Sequence, residues 1–445
     1  MKKRTFIKLS SMMMAGAAAS PLIDWAQDGK LHNWAGNLTY GTTSLLEAGS
    51  AEEIKAFLQK YPRLKVLGTR HCFNRIADSD HHLLSLRRMN RIIGFNADKK
   101  TVTVESGVRY GELAVWLHQR GYALHNLASL PHISVAGGCI TATHGSGAGN
   151  ANLPSAVRAL ELMTADGSVL HLSREKDPEI FHGAVVNLGA LGVMTTVTLA
   201  VEPTYQVSQR VYQGMPMAVL QTHFDEIMSA GYSVSLFTDW RNHKINEVWI
   251  KSRTDDPRIK QHGDLFYGGK AATHDLHPIS DLSAENCTPQ MGVPGPWHER
   301  LPHFRMGFTP SSGKELQSEF FVPREKSWEA IQAVEKLHAQ ISPHLLISEI
   351  RSIAADQLWL SPCYGRACTA IHFTWKPEWP AVSKLIPQIE AQLMPFHVRP
   401  HWGKLFSLSP LHIRNEYEKW NAFRQLRDQC DPHGKFGNEF LTMFA

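Results

Sequence analysis

Between residues 51 and 200, the hydrophobic positions switch repeatedly between helical spacing and the every-second-residue spacing of strands. Helical spacing predicts helices at 51–61 and 110–121. Short apolar or alternating runs predict strands at 64–67, 91–95, 101–104, 159–163, 169–172 and 193–200. We assign these segments to a first domain, which covers residues 26–203.

The segment 128–150 interrupts this pattern, because it has no clear periodicity and contains five glycines. We predict a long loop there. A loop of that length inside a compact domain is usually functional, so this segment is a candidate binding site.

The pattern changes again in the second domain, which we place at residues 204–398. Strands are predicted at 233–237, 248–251, 345–353 and 367–375, helices at 325–341 and 378–394, and a Pro- and His-rich stretch at 255–312. This order favours an antiparallel sheet with helices on one face, and the chain as a whole is predicted to be α+β. The last part, 399–445, has a predicted strand and a helix at 412–428.

Two of the predicted strands in the second domain carry pairs of polar residues. Residues two apart on a strand share a face, so Glu349 lies beside Arg351, and His372 beside Thr374. Burying these groups is costly unless they pair with each other or with a ligand. One interpretation is a pocket for a molecule with many hydroxyls. The other, which periodicity alone favours, is an exposed sheet face with a Glu–Arg surface pair.

The charge balance and the first 25 residues concern location rather than fold. The net charge of +5 comes from 46 basic and 41 acidic residues, and part of the excess lies in Lys2, Lys3, Arg4 and Lys8. Nucleic acid is therefore not an expected partner. Residues 1–25 combine this basic start with an apolar run too short for stable membrane insertion. They resemble a twin-arginine export signal with Lys3 in the first basic place, which predicts an exported, periplasmic protein.

The cysteine spacing argues against a metal centre. The six cysteines (72, 139, 287, 363, 368 and 430) include no paired C-x-x-C motif, so a zinc site is not expected and we assign no metal ligands. Cys363 and Cys368 are either a local disulfide or, as the alternative we favour, buried free thiols.

Two glycine-containing segments lie in the first domain, and the first of them directly follows the predicted strand 64–67. The first is Leu67-Gly68-Thr69-Arg70-His71-Cys72-Phe73-Asn74, and the second extends from Pro131 to Gly147. Glycine permits sharp turns and close approach of the backbone to a phosphate. Neither segment contains G-x-G-x-x-G, so a Rossmann-type site is disfavoured.

The order of these motifs resembles the vanillyl-alcohol-oxidase-type FAD family, and within it most the alditol oxidases, close to the sugar-lactone oxidases. The first motif is the segment 67–74, which we call the His71 loop. The others are S-L-P-H-I-S-V-A-G-G at 129–138 and T-H-G-S-G at 143–147. The resemblance extends from about residue 33 to the C-terminus. It implies a two-part FAD-binding domain, an antiparallel-sheet cap domain for the substrate, and a C-terminal segment, 399–445, that returns to the FAD domain.

The resemblance also implies how FAD is held. His71 would bond covalently to the 8-methyl carbon of the flavin, although Cys72 stands where the family often has Ser, and Arg70 where it often has Gly. The implied cofactor-binding residues are Val66, Leu67, Gly68, Thr69, Arg70, His71, Cys72, Ser129, Ser134, Gly137, Thr141, Ala142, Thr143, His144 and Val193.

On the substrate side, the resemblance places Glu349, Arg351, His372 and Thr374 in the pocket wall, and it adds Ser129 and Lys404. The implied reaction oxidises the terminal hydroxyl of a polyol to an aldose and reduces oxygen to hydrogen peroxide. Lys404 is the first candidate for the base and His372 the alternative, while Arg351 stabilises negative charge. Two alternative functions are a sugar-1,4-lactone oxidase or dehydrogenase, and an exported sugar-binding module without redox chemistry.

Overall fold

The structure, a computed structural model, describes residues 26–27, 29–256, 262–305 and 315–443. The predicted export signal at 1–25 lies outside these ranges. The first described elements are a hairpin, Ala26–Gln27 with Lys30–Leu31, and a parallel sheet in which Leu83–Ser85 pairs with both Leu45–Glu47 and Lys65–Leu67. The helix Ala51–Lys60 covers this sheet, and Ser50 caps it by accepting a hydrogen bond from the Glu53 N–H.

A separate antiparallel sheet forms the second part of the first domain. Its strands, in spatial order, are Val169–Ser173, Val157–Met163, Val193–Ala200, Thr101–Glu105 and Ile92–Asn96. The helices Tyr110–His118, Val135–Ile140 and Pro178–Val185 accompany it, and Tyr122–Ala123 pairs with Glu202–Pro203. The prediction of a continuous loop at 128–150 was wrong at Val135–Ile140. A helix of six residues is too short to show helical periodicity in the sequence.

The cap domain contains a ten-stranded sheet in the described part of the chain. Nine strands follow one another in space, and Gly295–Pro296 joins Gln206–Pro216 from the side. The nine are Leu265–Phe266, Gly269–Ala271, Gln206–Pro216, Lys244–Arg253, Ser233–Thr238, Leu345–Ile353, Cys368–Trp375, Leu316–Pro323 and Arg399–Pro400. Every pair is antiparallel, which confirms the predicted α+β architecture. The strands Gln206–Pro216 and Leu316–Pro323 were not predicted.

Helices cover one face of this sheet and leave the other to the candidate site. Leu220–Met228, Ser327–Glu335 and Trp379–Leu393 pack on Phe320, Ile350 and Ile371, while the shorter helix His338–Ile341 follows as a separate element. We call Leu316–Pro323 the Glu319 strand, Leu345–Ile353 the Arg351 strand and Cys368–Trp375 the His372 strand. Because side chains alternate along a strand, residues 319, 349, 351 and 372 point away from the helices.

The C-terminal segment leaves the cap sheet at Arg399–Pro400 and continues in helices. These are Pro410–Glu416, Trp420–Cys430 and Glu439–Met443, so the single helix predicted at 412–428 is divided in two. Tyr417 has an extended backbone and ends the first of them. All six cysteines lie in the described ranges and are free thiols. Among the described residues, no helix is long and apolar enough to cross a membrane.

Candidate active site

A long cleft runs between the first domain and the polar face of the cap sheet. Its larger cavity, about 310 Å³, reaches the cap strands, and a second cavity, about 170 Å³, lies within the first domain. The two cavities share part of their lining, so the cleft is continuous. The shared residues are Val66, Leu67, Gly68, Thr69, Gly137, Ile140 and Gly189.

The two glycine-containing segments meet where the cavities join. A Cβ atom on Gly137 would lie only 2.7 Å from the Ser134 hydroxyl oxygen, and one on Gly68 would lie 3.2 Å from it. Arg70 has a φ of 64°, in the left-handed region that favours glycine. Its side chain donates to the His32 carbonyl oxygen at 2.8 Å. Small residues and a tight turn at this junction fit an elongated dinucleotide such as FAD.

His71 projects into the larger cavity from the end of this loop. The ring centroids of Trp34 and His71 are 4.5 Å apart, and Nε2 of His132 lies 3.4 Å from Nδ1 of His71. Burial, together with His132, holds the pKa of His71 well below its usual range, so the imidazole is neutral. A neutral imidazole has a free lone pair and can act as a nucleophile.

The structure brings most of the predicted cofactor residues to the cleft. The larger cavity is lined by Val66, Leu67, Gly68, Thr69, Arg70, His71, Cys72, Ser129, Gly137, Thr141, Thr143 and His144, and Ser134 lines the second cavity. Ala142 and Val193 instead belong to the hydrophobic cores. The chain neighbours of Val193, Gly192 and Met194, line the second cavity.

The predicted substrate residues line the larger cavity together. Glu349, Arg351, His372, Thr374, Lys404 and Ser129 all contribute to its wall. The sheet register explains the arrangement, because His372 pairs with Glu349 on one side and with Glu319 on the other. One row of the sheet therefore carries two carboxylates with a histidine between them.

Glu319 is the central residue of this wall, and the sequence analysis missed it. Its side chain is fully buried, and its carboxylate accepts from Arg351 Nη2 at 2.6 Å and from Lys404 Nζ at 2.6 Å. Burial alone would raise the pKa of this carboxyl, but Lys404 and the neighbouring cations hold it well below its usual range. The sequence signal that could have identified Glu319 is the two-residue spacing of polar side chains along a strand. Gln317 and Glu319 have this spacing, share one strand face and both line the cavity.

Lys404 lies in a short segment that follows the edge strand. His401 N–H donates to the Glu319 carbonyl, and Leu405 N–H donates to the Gln317 carbonyl. Between these two bonds the chain loops out, and Lys404 Nζ reaches Nδ1 of His372 at 2.9 Å. Burial lowers the pKa of Lys404, and Arg351 acts in the same direction, while Glu319 opposes both.

The same segment is bonded directly to the His71 loop. Phe73 N–H donates to the Gly403 carbonyl at 2.7 Å, and the Asn74 side-chain amide donates to the carbonyls of Trp402 and Lys404. The lysine and the predicted flavin-linking histidine are therefore held in one hydrogen-bonded unit.

The two remaining polar groups of the wall have fixed partners as well. His372 Nε2 lies 3.0 Å from the Thr374 hydroxyl, and burial, with Lys404 nearby, holds the pKa of His372 well below its usual range. Glu349 accepts from His303 Nε2 at 2.8 Å. His303 was not predicted, because it reaches Glu349 from an irregular segment 46 positions away in sequence.

One group of potential metal ligands exists among the described residues. Ligand atoms of His144, Glu319 and His401 lie within 4.8 Å of one another. The Glu319 carboxylate, however, is already bonded to Arg351 and Lys404, whose positive charges repel a further cation. We therefore assign this group no metal.

Comparisons with known proteins agree with this geometry. A family model described as an FAD binding domain matches residues 43–173, and one described as D-arabinono-1,4-lactone oxidase matches residues 310–444. An alditol oxidase from Streptomyces sp. is 45% identical over 92% of this chain and 97% of the relative. An L-gulonolactone oxidase from Mus musculus is 27% identical over 93% of this chain and 97% of the relative.

The fold is also shared with a solved structure. Cholesterol oxidase from B. sterolicum matches with a TM-score of 0.74 at 14% identity, over 96% of this chain and 100% of that chain. The likeness extends over the FAD-binding domain and the cap alike. This chain therefore belongs to the alditol oxidase family of vanillyl-alcohol-oxidase-type FAD proteins.

Proposed function

We propose that the protein oxidises the terminal hydroxyl of a polyol such as xylitol or sorbitol to an aldose, with oxygen reduced to hydrogen peroxide. The observation that carries this proposal is the larger cavity, which is lined both by the His71 loop and by the side chains of Glu349, Arg351, Thr374 and Lys404. A polyol offers many hydroxyls, and this wall alternates hydrogen-bond donors and acceptors. The similarity to an alditol oxidase supports the same substrate class.

We further propose that FAD is attached covalently through His71. The neutral His71 ring lines the larger cavity, and Trp34 and His132 fix its orientation. A covalent link withdraws electron density from the flavin and makes it a stronger hydride acceptor. It also prevents loss of the cofactor after export.

In the proposed mechanism, Lys404 removes the proton of the reacting hydroxyl. FAD bound in this cleft would supply the hydride acceptor and the redox chemistry that reduces oxygen. Lys404 acts as a base only in its neutral form, and its lowered pKa makes that form easier to reach from the ion pair with Glu319 than it is for an ordinary lysine. Once Lys404 is protonated, the Glu319 carboxylate at 2.6 Å stabilises the ammonium group. His372, 2.9 Å from Lys404, is the alternative base.

The other wall residues bind and orient the substrate. Arg351 is buried and stabilises negative charge that develops on the substrate oxygen. Glu349, Thr374 and Ser129 hold the remaining hydroxyls, so that a terminal carbon is presented to the cofactor.

A comparison of substrates tests the proposal. Purified protein is mixed with xylitol, sorbitol or L-gulono-1,4-lactone, and hydrogen peroxide and sugar products are measured. We expect peroxide and aldose in equal amounts from the polyols. Preference for the lactone would instead support the second candidate, a sugar-1,4-lactone oxidase or dehydrogenase, although the lactone-oxidase relative from Mus musculus is more distant from this chain than the alditol oxidase. If the protein binds the polyols but produces no peroxide, and if its flavin is not bleached under anaerobic conditions, it is a sugar-binding protein without redox activity.

A further inference from the structure

Another buried lysine, Lys251, lies behind the cavity wall formed by the cap sheet, on the strand Lys244–Arg253. The side chain of Lys251 is only 1% exposed. Its Nζ lies 2.5 Å from the Leu301 carbonyl oxygen, 3.1 Å from the Pro302 carbonyl oxygen and 3.1 Å from Nδ1 of His303. An ammonium group has three N–H donors, and these three acceptors match them.

This arrangement determines the tautomer of His303. Because Lys251 donates to Nδ1, the proton of the neutral His303 ring must lie on Nε2, which then donates to Glu349 at 2.8 Å. Burial, with Lys251 nearby, lowers the pKa of His303 to about 4, which keeps the ring neutral. The rings of Phe237 and Trp249 contact it edge-on, with centroids 5.5 Å and 5.2 Å away, and fix its plane.

The charge state of Lys251 sets the conditions for a test. The charged and titratable groups that face it are His303, Glu349, Cys287 and Arg351. Burial lowers the pKa of Lys251 to about 7, and Glu349 opposes this effect. At pH 6 the ammonium form therefore predominates.

We propose that Lys251 and His303 are positioning residues that act through Glu349 to set the affinity of the site for its polyol. The inference rests on the proposed function, since it concerns how that substrate is held. Lys251 lies outside the cavity lining, and His303, which lies in that lining beside Glu349, has no proposed contact with the reacting atoms. Lys251 fixes the His303 tautomer, and His303 directs one Glu349 oxygen, leaving the rest of the carboxylate to accept from a substrate hydroxyl.

Steady-state kinetics at pH 6 on purified, flavin-loaded variants tests this chain of contacts. His303→Leu removes the donor to Glu349, and we expect KM for xylitol to rise at least about tenfold, with kcat changed less than about threefold. His303→Gln keeps an amide donor and should restore much of the affinity. As a single variant, Lys251→Met should raise KM. Combined with His303→Leu it should raise KM no further than His303→Leu does, because both substitutions break the same series of contacts to Glu349.

His298→Leu is the matched control. It makes the same change at another buried histidine five residues away in the chain, whose ring contacts His118 and not the cavity. We expect normal KM and kcat there. A normal KM in His303→Leu would overturn this inference but not the proposed function. Parallel losses of kcat, FAD content and melting temperature that His303→Gln does not rescue would have the same meaning. A wild-type protein inactive on polyols would remove the proposed function, and the inference with it.

Discussion

Glu319 and Lys404 form a buried ion pair, with Lys404 Nζ 2.6 Å from Glu319 Oε2. The other carboxylate oxygen accepts from Arg351 at 2.6 Å, so one anion links two cations of the cavity wall. These contacts join the cap sheet to the C-terminal segment. Glu319 thereby influences both the position of Lys404 and the ease with which Lys404 loses its proton.

Replacing this carboxylate should change the pH dependence of the enzyme. Glu319 opposes the lowering of the Lys404 pKa, so Glu319→Gln should let that pKa fall further. On the proposed mechanism, the activity needs Lys404 in its neutral form. We therefore expect the acid limb of the kcat/KM profile to move to lower pH by about one unit or more, with a lower maximum.

Glu390→Gln is a suitable control for Glu319→Gln. Glu390 is also a buried carboxylate, but it bonds to Ser407 and lies outside the cavity lining. Its profile should keep the wild-type shape. If Glu319→Gln lowers kcat/KM by the same factor at every pH, Glu319 has only a structural role.

Lys404→Arg tests the base itself. Arginine keeps the positive charge but stays protonated in proteins, so it cannot accept the hydroxyl proton. We expect the variant to retain FAD and to reduce it at least about a hundredfold more slowly with xylitol. Anaerobic stopped-flow bleaching of the flavin measures this step directly. Near-normal bleaching would exclude Lys404 and leave His372 as the base.

Thr374→Val and Arg351→Ala should separate binding from chemistry. Loss of the Thr374 hydroxyl should weaken polyol binding by roughly 1–3 kcal/mol, because a hydroxyl of the bound polyol would be left without its hydrogen-bond partner. Arg351→Ala should mainly slow flavin reduction, since it removes the positive charge that we propose stabilises the substrate oxygen. Titration and single-turnover rates distinguish the two effects. Small and equal losses in both variants would contradict a substrate wall at this sheet face.

His71→Ala tests the covalent attachment. The variant should still fold and bind FAD through the rest of the cleft, but denaturation should release the cofactor. Flavin fluorescence in a denaturing gel, with acid-precipitated protein as a second measurement, detects the attached form. His132→Ala keeps His71 and serves as a comparison for general damage to the loop. Flavin that remains on the denatured His71→Ala protein would place the link elsewhere.

We propose that the protein is exported, because its first residues resemble a twin-arginine signal. Replacing Lys3 and Arg4 with glutamine should leave active, flavin-containing protein in the cytoplasm, because the basic pair is the recognised part of a twin-arginine-like signal. Cell fractionation followed by the peroxide assay measures this. Replacing Lys2 alone provides a control for loss of charge. Unchanged periplasmic activity in the double variant would show that another route operates.

The sequence predicted those parts of the site that rest on short-range periodicity. Glu349 and Arg351, like His372 and Thr374, lie two apart on strands whose boundaries were close to those observed. The same rule would have identified Gln317 and Glu319 had the strand Leu316–Pro323 been recognised. That strand is buried on both faces, so its polar residues do not mark a solvent side.

Other parts of the site depend on contacts that no local pattern encodes. His303 reaches Glu349, and Asn74 reaches Trp402, only after the sheet and the C-terminal segment have assembled. The helix predicted at 412–428 was divided in the structure for a similar reason. Tyr417, which ends the first helix, packs its ring on Trp402, and this tertiary contact outweighs local helix preference.

The bonds between the His71 loop and the Trp402–Lys404 segment have a consequence for the order of biosynthesis. Asn74 and its partner Trp402 are 328 positions apart, and a ribosome makes Lys404 long after both glycine-containing segments. A nascent chain that ends before residue 399 holds the cofactor loops but lacks the proposed proton acceptor. On the proposed mechanism, peroxide production therefore begins only after Lys404 has been made and its segment has packed on the His71 loop.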